Sequence, residues 1–282
     1  MIDKTAYFFW QGEQMSWLRY MTLRSFVYHN PDWRAVLYLA SNPDYTRTWE
    51  GIEYQEDYHQ NEYENYFSKI YHLDLEIVPH ENHGHHPAQN SDLACWDIMS
   101  NNSGIFFDMD IMFIKSVNEF REWLEDSDTG IDLHPQGRHT QFRIGVVCSS
   151  GNNQFFKDLL EMGIDNSKNM SNYQRLGSPL LESHLGNLMN NRFRKPQAAI
   201  SRVEKVYGGR AINLSYFDTV YPLDWYEDKP RFYDTHQISG TFFGIHWYGG
   251  RPMSQEFNLR LTEDNFRDHK NTICHHAGLI NA

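Results

Sequence analysis

Asp108 and Asp110 are the residues of this chain whose type and spacing point most directly to chemistry. They interrupt an otherwise apolar run, GIFFDMDIMFIK at 104–115, which follows the breaker pair Ser103-Gly104. Such a run has the composition and length of a strand covered on both faces. A carboxylate inside it is costly unless it is paired or bound to a metal. The run therefore predicts that both aspartates lie at the strand's end, facing a cleft. Side chains two apart share one side of a strand, so both carboxylates can converge on one divalent cation while Met109 points the other way. A polar strand end or turn cap is the simpler reading of the same pair.

Two further segments offer partners. NSDLACWDI at 90–98 opens a helix and brings Asp92, and HWYGGRP at 246–252 brings His246 and Arg251. A neutral imidazole is a third metal ligand, and glycines beside an arginine let backbone and guanidinium approach a phosphate. Together these parts describe a site for a metal-bound diphosphate. Each has a plain alternative: Asp92 as a helix cap, His246 as a satisfied core histidine, Trp10 as an ordinary core aromatic rather than a stacking platform. His80, His83, His85 and His86 lack a carboxylate or cysteine at a recognised zinc spacing and read as a cleft loop. Cys95, on the helix before the aspartates, reads as packing rather than as a nucleophile.

The elements that must position these residues follow from periodicity. TAYFFW at 5–10 predicts a strand ending at Gln11-Gly12, and SWLRYMTLRSFVYHN predicts a helix with Ser16 as cap and Asn30-Pro31 as stop. Strands are expected at 34–40 and 75–79, the latter followed by a loop over 80–90 and a helix capped by Asn90 or Ser91. The aspartate strand comes next. This alternation predicts an α/β fold with a mostly parallel central sheet, whose ligands bind beyond the carboxyl ends of the strands. After Lys115 the spacing predicts a short helix at FREWLED, a strand at 142–150, a helix ending at Gly163, a helix in GSPLLESHLGNLMNN, and an aromatic strand before the glycine loop. The stretch between Glu50 and Glu64 reads as a solvated acidic face. The basic residues Arg192, Arg194, Lys195, Arg202, Lys205 and Arg210 read as surface or as a phosphate-bearing acceptor's contact.

Length and composition bound the function. The 282 residues suffice for one catalytic domain with a large core. A formal net charge of −12 disfavours nucleic-acid and anionic-membrane binding. The three cysteines are odd in number and widely spaced, which disfavours structural disulfides and suggests a reducing compartment. No stretch is apolar for long enough to span a bilayer and the N-terminus lacks a signal-peptide pattern, so the expected location is the cytoplasm.

SDLACWDIMSNNSGIFFDMDIMFIKSV resembles the core of the DXD-motif glycosyltransferases that include capsular polysaccharide enzymes, yeast initiating mannosyltransferases and the glucosylating domains of clostridial toxins. That core reads Ser-Asp-x-x-Arg, a helix, then Gly-Gly-x-Tyr-x-Asp-x-Asp. The resemblance is good over about residues 5 to 115, where AYFFWQG is similar to the family's opening strand. It is looser from 142 to 252, where HWYGGRP is similar to a His-x-x-Gly loop of related retaining transferases but one residue shorter. Two departures stand out: Cys95 replaces the arginine, and Ser103-Gly104 replaces Gly-Gly.

The resemblance implies a Rossmann-like, nucleotide-sugar-binding fold of the glycosyltransferase-A type, with one catalytic domain over 1–282. Residues 1–115 would form the nucleotide-sugar half, and 116–282 the acceptor half with the C-terminal metal and phosphate loop. It implies catalytic roles for Asp92 and Asp110, and donor contacts from Trp10, Asp92, Asp108 and Arg251. Mn²⁺ or Mg²⁺ would be held by Asp108, Asp110 and His246. The expected activity is retaining transfer from a UDP- or GDP-linked sugar to a carbohydrate or other hydroxyl acceptor, in polysaccharide biosynthesis. Two alternatives compete: a sugar-binding or inactive relative, which Cys95 favours, and a haloacid-dehalogenase-like phosphatase reading of DMDIM, in which the first aspartate is a nucleophile.

Overall fold

Six consecutive buried residues form the strand at the centre of the molecule, β1 (Thr5–Trp10). Their side chains alternate between two cores: Ala6, Phe8 and Trp10 enter one, and Tyr7 and Phe9 enter the other. The computed structural model describes residues 2–41, 63–81, 86–136, 139–167, 175–189, 196–217, 219–223, 238, 241–251, 254 and 257–280. The Glu50–Glu64 stretch falls almost wholly outside them, as do His83, His85, Arg192, Arg194 and Lys195.

Helix α1 (Trp17–His29) is buried on most sides rather than amphipathic, which is why its apolar spacing in the sequence is mixed. Ser16 caps it by accepting from the backbone N–H of Arg19, and Asn30 ends it before Pro31. Strands β2 (Arg34–Ala40) and β3 (Glu76–His80) follow, then α2 (Pro87–Asn101), β4 (Ser103–Phe107), β5 (Ile111–Phe113) and the short α3 (Asn118–Trp123). The second half supplies β6 (Thr129–Gln136), β7 (His139–Ser150), α4 (Gln154–Ser167), α5 (Ser178–Leu188), α6 (Pro196–Tyr207), β8 (Ala211–Asn213), β9 (Val220–Pro222), β10 (Gly244–His246) and α7 (Thr272–Ile280).

A seven-stranded sheet runs β3-β2-β1-β4-β7-β6-β8. Its first four strands are mutually parallel, β7 is antiparallel to both β4 and β6, and β8 is parallel to β6. The fold is thus α/β with a mostly parallel central sheet, as the alternation in the sequence requires. A smaller sheet, β5-β10-β9, lies beside it.

The expected strand at 104–115 is two strands. β4 belongs to the large sheet and β5 to the small one, so Asp108, Met109 and Asp110 are the crossing between sheets. Apolar residues on both sides hide the break, because each strand is buried in its own right. Side chains of α1 hold the crossing: Thr22 Oγ1 donates to the Met109 carbonyl at 3.0 Å, and Ser25 Oγ accepts from the Phe113 N–H at 2.9 Å.

Two helix limits also differ from expectation. α2 starts at Pro87, not after Asn90 or Ser91, with His86 Nδ1 accepting from the Ala88 N–H. Proline suits a first helical turn, where its missing N–H is not needed. Asp92 therefore lies inside the helix and is not its cap. α4 passes through Gly163 instead of stopping there. A Cβ at Gly163 would come within 2.7 Å of Leu93 Cδ2, so this glycine marks close packing of α4 on α2 rather than a helix end.

Candidate active site

The two-sheet crossing opens on a cavity of about 500 Å³, whose wall includes Trp10, Asp92, Asp108, Asp110, His246 and Arg251. Trp10, Asp92, Asp108, Asp110, His246 and Arg251, the residues the sequence nominates for the donor and metal site, thus line one cavity, at the carboxyl ends of β1 and β4. Within it, Asp108, Asp110 and His246 each present a ligand atom within 4.8 Å of the others. Among the described residues, no other group of three or more His, Cys, Asp or Glu side chains converges in this way.

Backbone pairing fixes the three. The Asp108 N–H donates to the Gly145 carbonyl on β7 at 2.9 Å, and the Asp110 carbonyl accepts from the Trp247 N–H at 3.0 Å. β10 pairs antiparallel with β5, with His246 opposite Ile111, which brings the imidazole to the aspartates. His246 Nε2 then lies 3.0 Å from Asp110 Oδ1, while Asp110 Oδ2 accepts from the Gly249 N–H at 2.8 Å. Two glycines make room: a Cβ at Gly145 would lie 3.2 Å from Asp108 Oδ2 and 3.3 Å from His246 Cε1, and one at Gly177 would lie 2.8 Å from both carboxylate oxygens of Asp92. Trp96 of α2 anchors the latter segment, donating from Nε1 to the Leu176 carbonyl at 2.8 Å.

The electrostatics separate the two aspartates. Burial, and after it the charge of Asp110, pushes the Asp108 carboxyl up to about 7. Burial works against ionisation of Asp110 as well, but the His246 charge and hydrogen bond, Arg19 and the Gly249 N–H together hold it below the usual carboxylate range. Burial opposes the imidazolium of His246, and the facing Asp110 outweighs it and raises its pKa. Asp92 is pushed well above the ordinary range by burial and by Asp108. Two carboxylates and an imidazole are a ligand set suited to a divalent cation, and the proton favoured on Asp108 marks a position where positive charge is wanted.

Downstream of His246 the chain makes a strained turn. Tyr248 adopts φ 51°, in the left-handed region that bulky residues avoid, and its ring stacks on the His246 imidazole at 4.1 Å. The exposed Arg251 lays its guanidinium 4.0 Å above the Tyr248 ring. Trp10 is 2 % exposed and donates from Nε1 to the Gln14 carbonyl. Cys95 is buried near Asp108 and Asp92, and burial first, then those two charges, push its thiol well above the ordinary range, so it packs rather than reacts. The other histidines are placed elsewhere: His80 Nε2 pairs with Asp97 Oδ2 at 3.0 Å, and His86 caps α2. Of the basic stretch, Arg202 donates to the Leu188 carbonyl and Arg210 pairs with Asp126.

No family model matches the sequence, and no curated protein matches it. Similar solved structures include glycosyltransferases. The PaToxG glycosyltransferase is 14% identical, over 74% of this chain and 79% of its own, with a TM-score of 0.46. The apo-form glycosyltransferase GlyE of Streptococcus pneumoniae TIGR4 is 12% identical over 77% of this chain, which spans 46% of GlyE, with a TM-score of 0.41. The galactosyltransferase LgtC, in complex with donor and acceptor sugar analogs, is 10% identical over 94% of this chain and 99% of its own, with a TM-score of 0.36.

Three residues at or near the cavity escape the sequence reading. Arg19 lines it from α1 at 2 % exposure, and Arg143 lines it from β7. Asp132, on β6 directly across from Arg143, is buried with Oδ1 lacking a hydrogen-bond partner, and burial pushes it up to about 6 while Arg143 and His246 partly offset the rise. The one signal available beforehand was Arg19 itself, a charge set among Trp17, Leu18, Tyr20 and Met21.

Proposed function

We propose that this chain is a metal-dependent glycosyltransferase that moves a sugar from a UDP- or GDP-linked donor to a carbohydrate or other hydroxyl acceptor. The observation that carries this reading is the convergence of Asp108, Asp110 and His246, from segments far apart in sequence, on the wall of a cavity shared with Asp92, Trp10 and Arg251. Those three residues would hold Mn²⁺ or Mg²⁺. When bound, the ion supplies Lewis-acid neutralisation of the charge that develops on the leaving diphosphate.

The chain's own groups do the rest. Asp92, inclined to keep its proton, offers a hydrogen bond to a sugar or ribose hydroxyl of the donor. Asp110, held ionised, keeps one carboxylate oxygen on the Gly249 N–H and so fixes the glycine loop against the metal site. Arg251, presented on the Tyr248 ring, offers a guanidinium to phosphate, and Trp10, almost wholly buried, borders the donor cavity from the core. In this reading residues 1–115 bind the donor and 116–282 supply the acceptor side and the metal and phosphate loop. Retention of anomeric configuration and a role in polysaccharide biosynthesis follow from the resemblance. Among the described residues, no helix is long and apolar enough to cross a membrane.

A panel of nucleotide sugars assayed for transfer and donor hydrolysis tests the proposal. Activity should require Mn²⁺ or Mg²⁺, and Asp108→Ala and Asp110→Ala should abolish it while circular dichroism stays native. Full activity in EDTA-stripped protein would count against the proposal. A binding-only relative is the second reading, favoured by the buried thiol of Cys95 at the expected arginine position. Metal-dependent donor binding with no turnover of any donor would select it.

A further inference from the structure

A second concavity, of about 300 Å³, lies between the 3₁₀ turn Phe266–Asp268 and α7 and shares no residue with the catalytic cavity. Arg267, His269, Lys270 and His275 stand in its wall. Among the described residues, no carboxylate lies within ion-pair distance of Arg267, His269 or Lys270. The neighbouring Glu263 is already held by Arg24 and Lys69, and Asp268 is exposed outside the wall. A chain with a formal net charge of −12 thus gathers basic side chains around one hollow without an acid to balance them. The opposing charge of the whole molecule is screened beyond roughly 8–10 Å at physiological salt, so the local groups decide what enters.

The floor is fixed and apolar. Phe266 is buried and stacks on Trp17, the first residue of α1, at 5.0 Å, and Arg267 lays its guanidinium carbon 5.1 Å from the Phe266 ring centre. Gly278 keeps the hollow open. Glycine weakens a helix relative to alanine, and here close packing does not demand it: the nearest described atom to a Cβ, outside its own helix, would be Phe266 Cε2 at 3.9 Å. What the bare position preserves is the space above Phe266. The Asn271 side chain accepts from the Cys274 N–H at 2.9 Å at the start of α7, so side chains rather than that amide must meet an anion.

We propose that this hollow binds the phosphate group of an organic phosphate, with Arg267, His269 and Lys270 on its oxygens and the ligand's apolar part against Phe266 and the half-exposed Leu279. A guanidinium fork, an imidazole and an ammonium converging from one side match the several acceptor oxygens of a phosphate monoester. Its source is either a small soluble molecule or a lipid headgroup, and two binding measurements separate them. Calorimetry follows glycerol 3-phosphate, and co-sedimentation follows phosphatidylcholine vesicles with and without phosphatidic acid. Both are run in EDTA on an Arg251→Gln background, which takes the catalytic cavity's exposed arginine out of the signal. Neither uses metal or a nucleotide sugar, so the result is independent of whether the chain is a transferase.

Binding of glycerol 3-phosphate assigns the soluble source, and vesicle binding that requires phosphatidic acid assigns the headgroup. In whichever measurement binds, Arg267→Gln with Lys270→Gln should weaken it about 10-fold or more, the loss of two charge-assisted contacts. Gly278→Met, which keeps every charge and fills the space, should weaken it as well. Binding in neither measurement would overturn the proposal. So would binding that the paired glutamines leave unchanged, or that they abolish while a folded Gly278→Met retains it in full, the mark of a diffuse charged face. If Gly278→Met does not fold, Gly278→Gln carries the same comparison.

Discussion

Asp108 and Asp110 are alike in sequence and opposite in charge economy. Asp108 is pushed toward its neutral form, and Asp110 is held ionised by His246, Arg19 and the Gly249 N–H. The isosteric amides should therefore differ in sign. In metal-free protein at pH 8, Asp108→Asn should stabilise by on the order of 1–3 kcal/mol, because it removes a like charge that the fold must otherwise bury. Asp110→Asn should destabilise by about 1–3 kcal/mol, because it strips His246 of its counter-charge. Urea unfolding of both variants, with wild type beside them, checks this.

A pH dependence follows from the same groups. Asp92, Asp108 and Asp132 all have folded pKa values above the ordinary 3.8, so these three groups bind more protons in the folded state than in the unfolded one from about pH 4 to about pH 7, whereas His29, His134 and His184, lowered chiefly by burial, act in the opposite sense. His246, also raised, contributes stability that is lost as pH rises through its folded value. The site's contribution to metal-free stability, read as the difference between wild type and Asp108→Asn, should thus fall as pH rises across this window, and saturating Mn²⁺ should flatten the fall. Melting curves at half-unit pH steps, with EDTA and with Mn²⁺, measure both. The aspartates, Asp92 and His246 were readable in the sequence because a charge in an apolar run needs a reason. Arg19 was not, because its helix is buried on most sides and periodicity cannot say which face meets the cavity. Asp132 was hidden for a related reason, since a carboxylate in TGIDLHPQ looks like the solvent side of an edge strand.

At the scale of elements, β1 and β2 lie where their apolar runs place them, and α1 keeps its cap and stop. The break between β4 and β5 was not legible, since nothing in FFDMDIMF says that its two halves pair with different sheets. β6 and β8 were missed because Gly130, Pro135 and the brevity of Ala211–Asn213 weaken a strand pattern that only the neighbouring strands complete. Gly104 shows how tightly the large sheet closes next to the site. It has φ 148°, and a Cβ there would lie 2.4 Å from the Thr5 carbonyl oxygen and 2.6 Å from the Tyr7 ring. Gly104→Ala should cost more than about 2 kcal/mol through strain and overpacking against backbone. Chemical denaturation reads the loss directly; a wild-type midpoint would mean that β1 and β4 are more loosely joined than the register implies.

For the molecule as a whole, the two halves of the chain share their sheets. β4 pairs with β7, β5 pairs with β10, and α2 packs on α4, so residues 1–115 leave strand edges and an apolar helix face uncovered when isolated. A fragment of residues 1–115 should show no cooperative melting transition, and calorimetry of that fragment decides the point. The alternating first half was legible because each strand and helix there carries its own period and punctuation. The last helix, Thr272–Ile280, was not, because its burial depends on partners that sequence spacing cannot name, such as α1.

The account turns on a cation held where the two sheets meet. A crystal structure of the protein soaked with Mn²⁺ and a nucleoside diphosphate, UDP or GDP, with the ion located by its anomalous scattering, tests this most directly. The account predicts one strong peak within coordinating distance of Asp108, Asp110 and His246, with the diphosphate on its open side. Manganese bound elsewhere, or an Asp110–His246 pair left as it stands beside a cavity without metal, would contradict it.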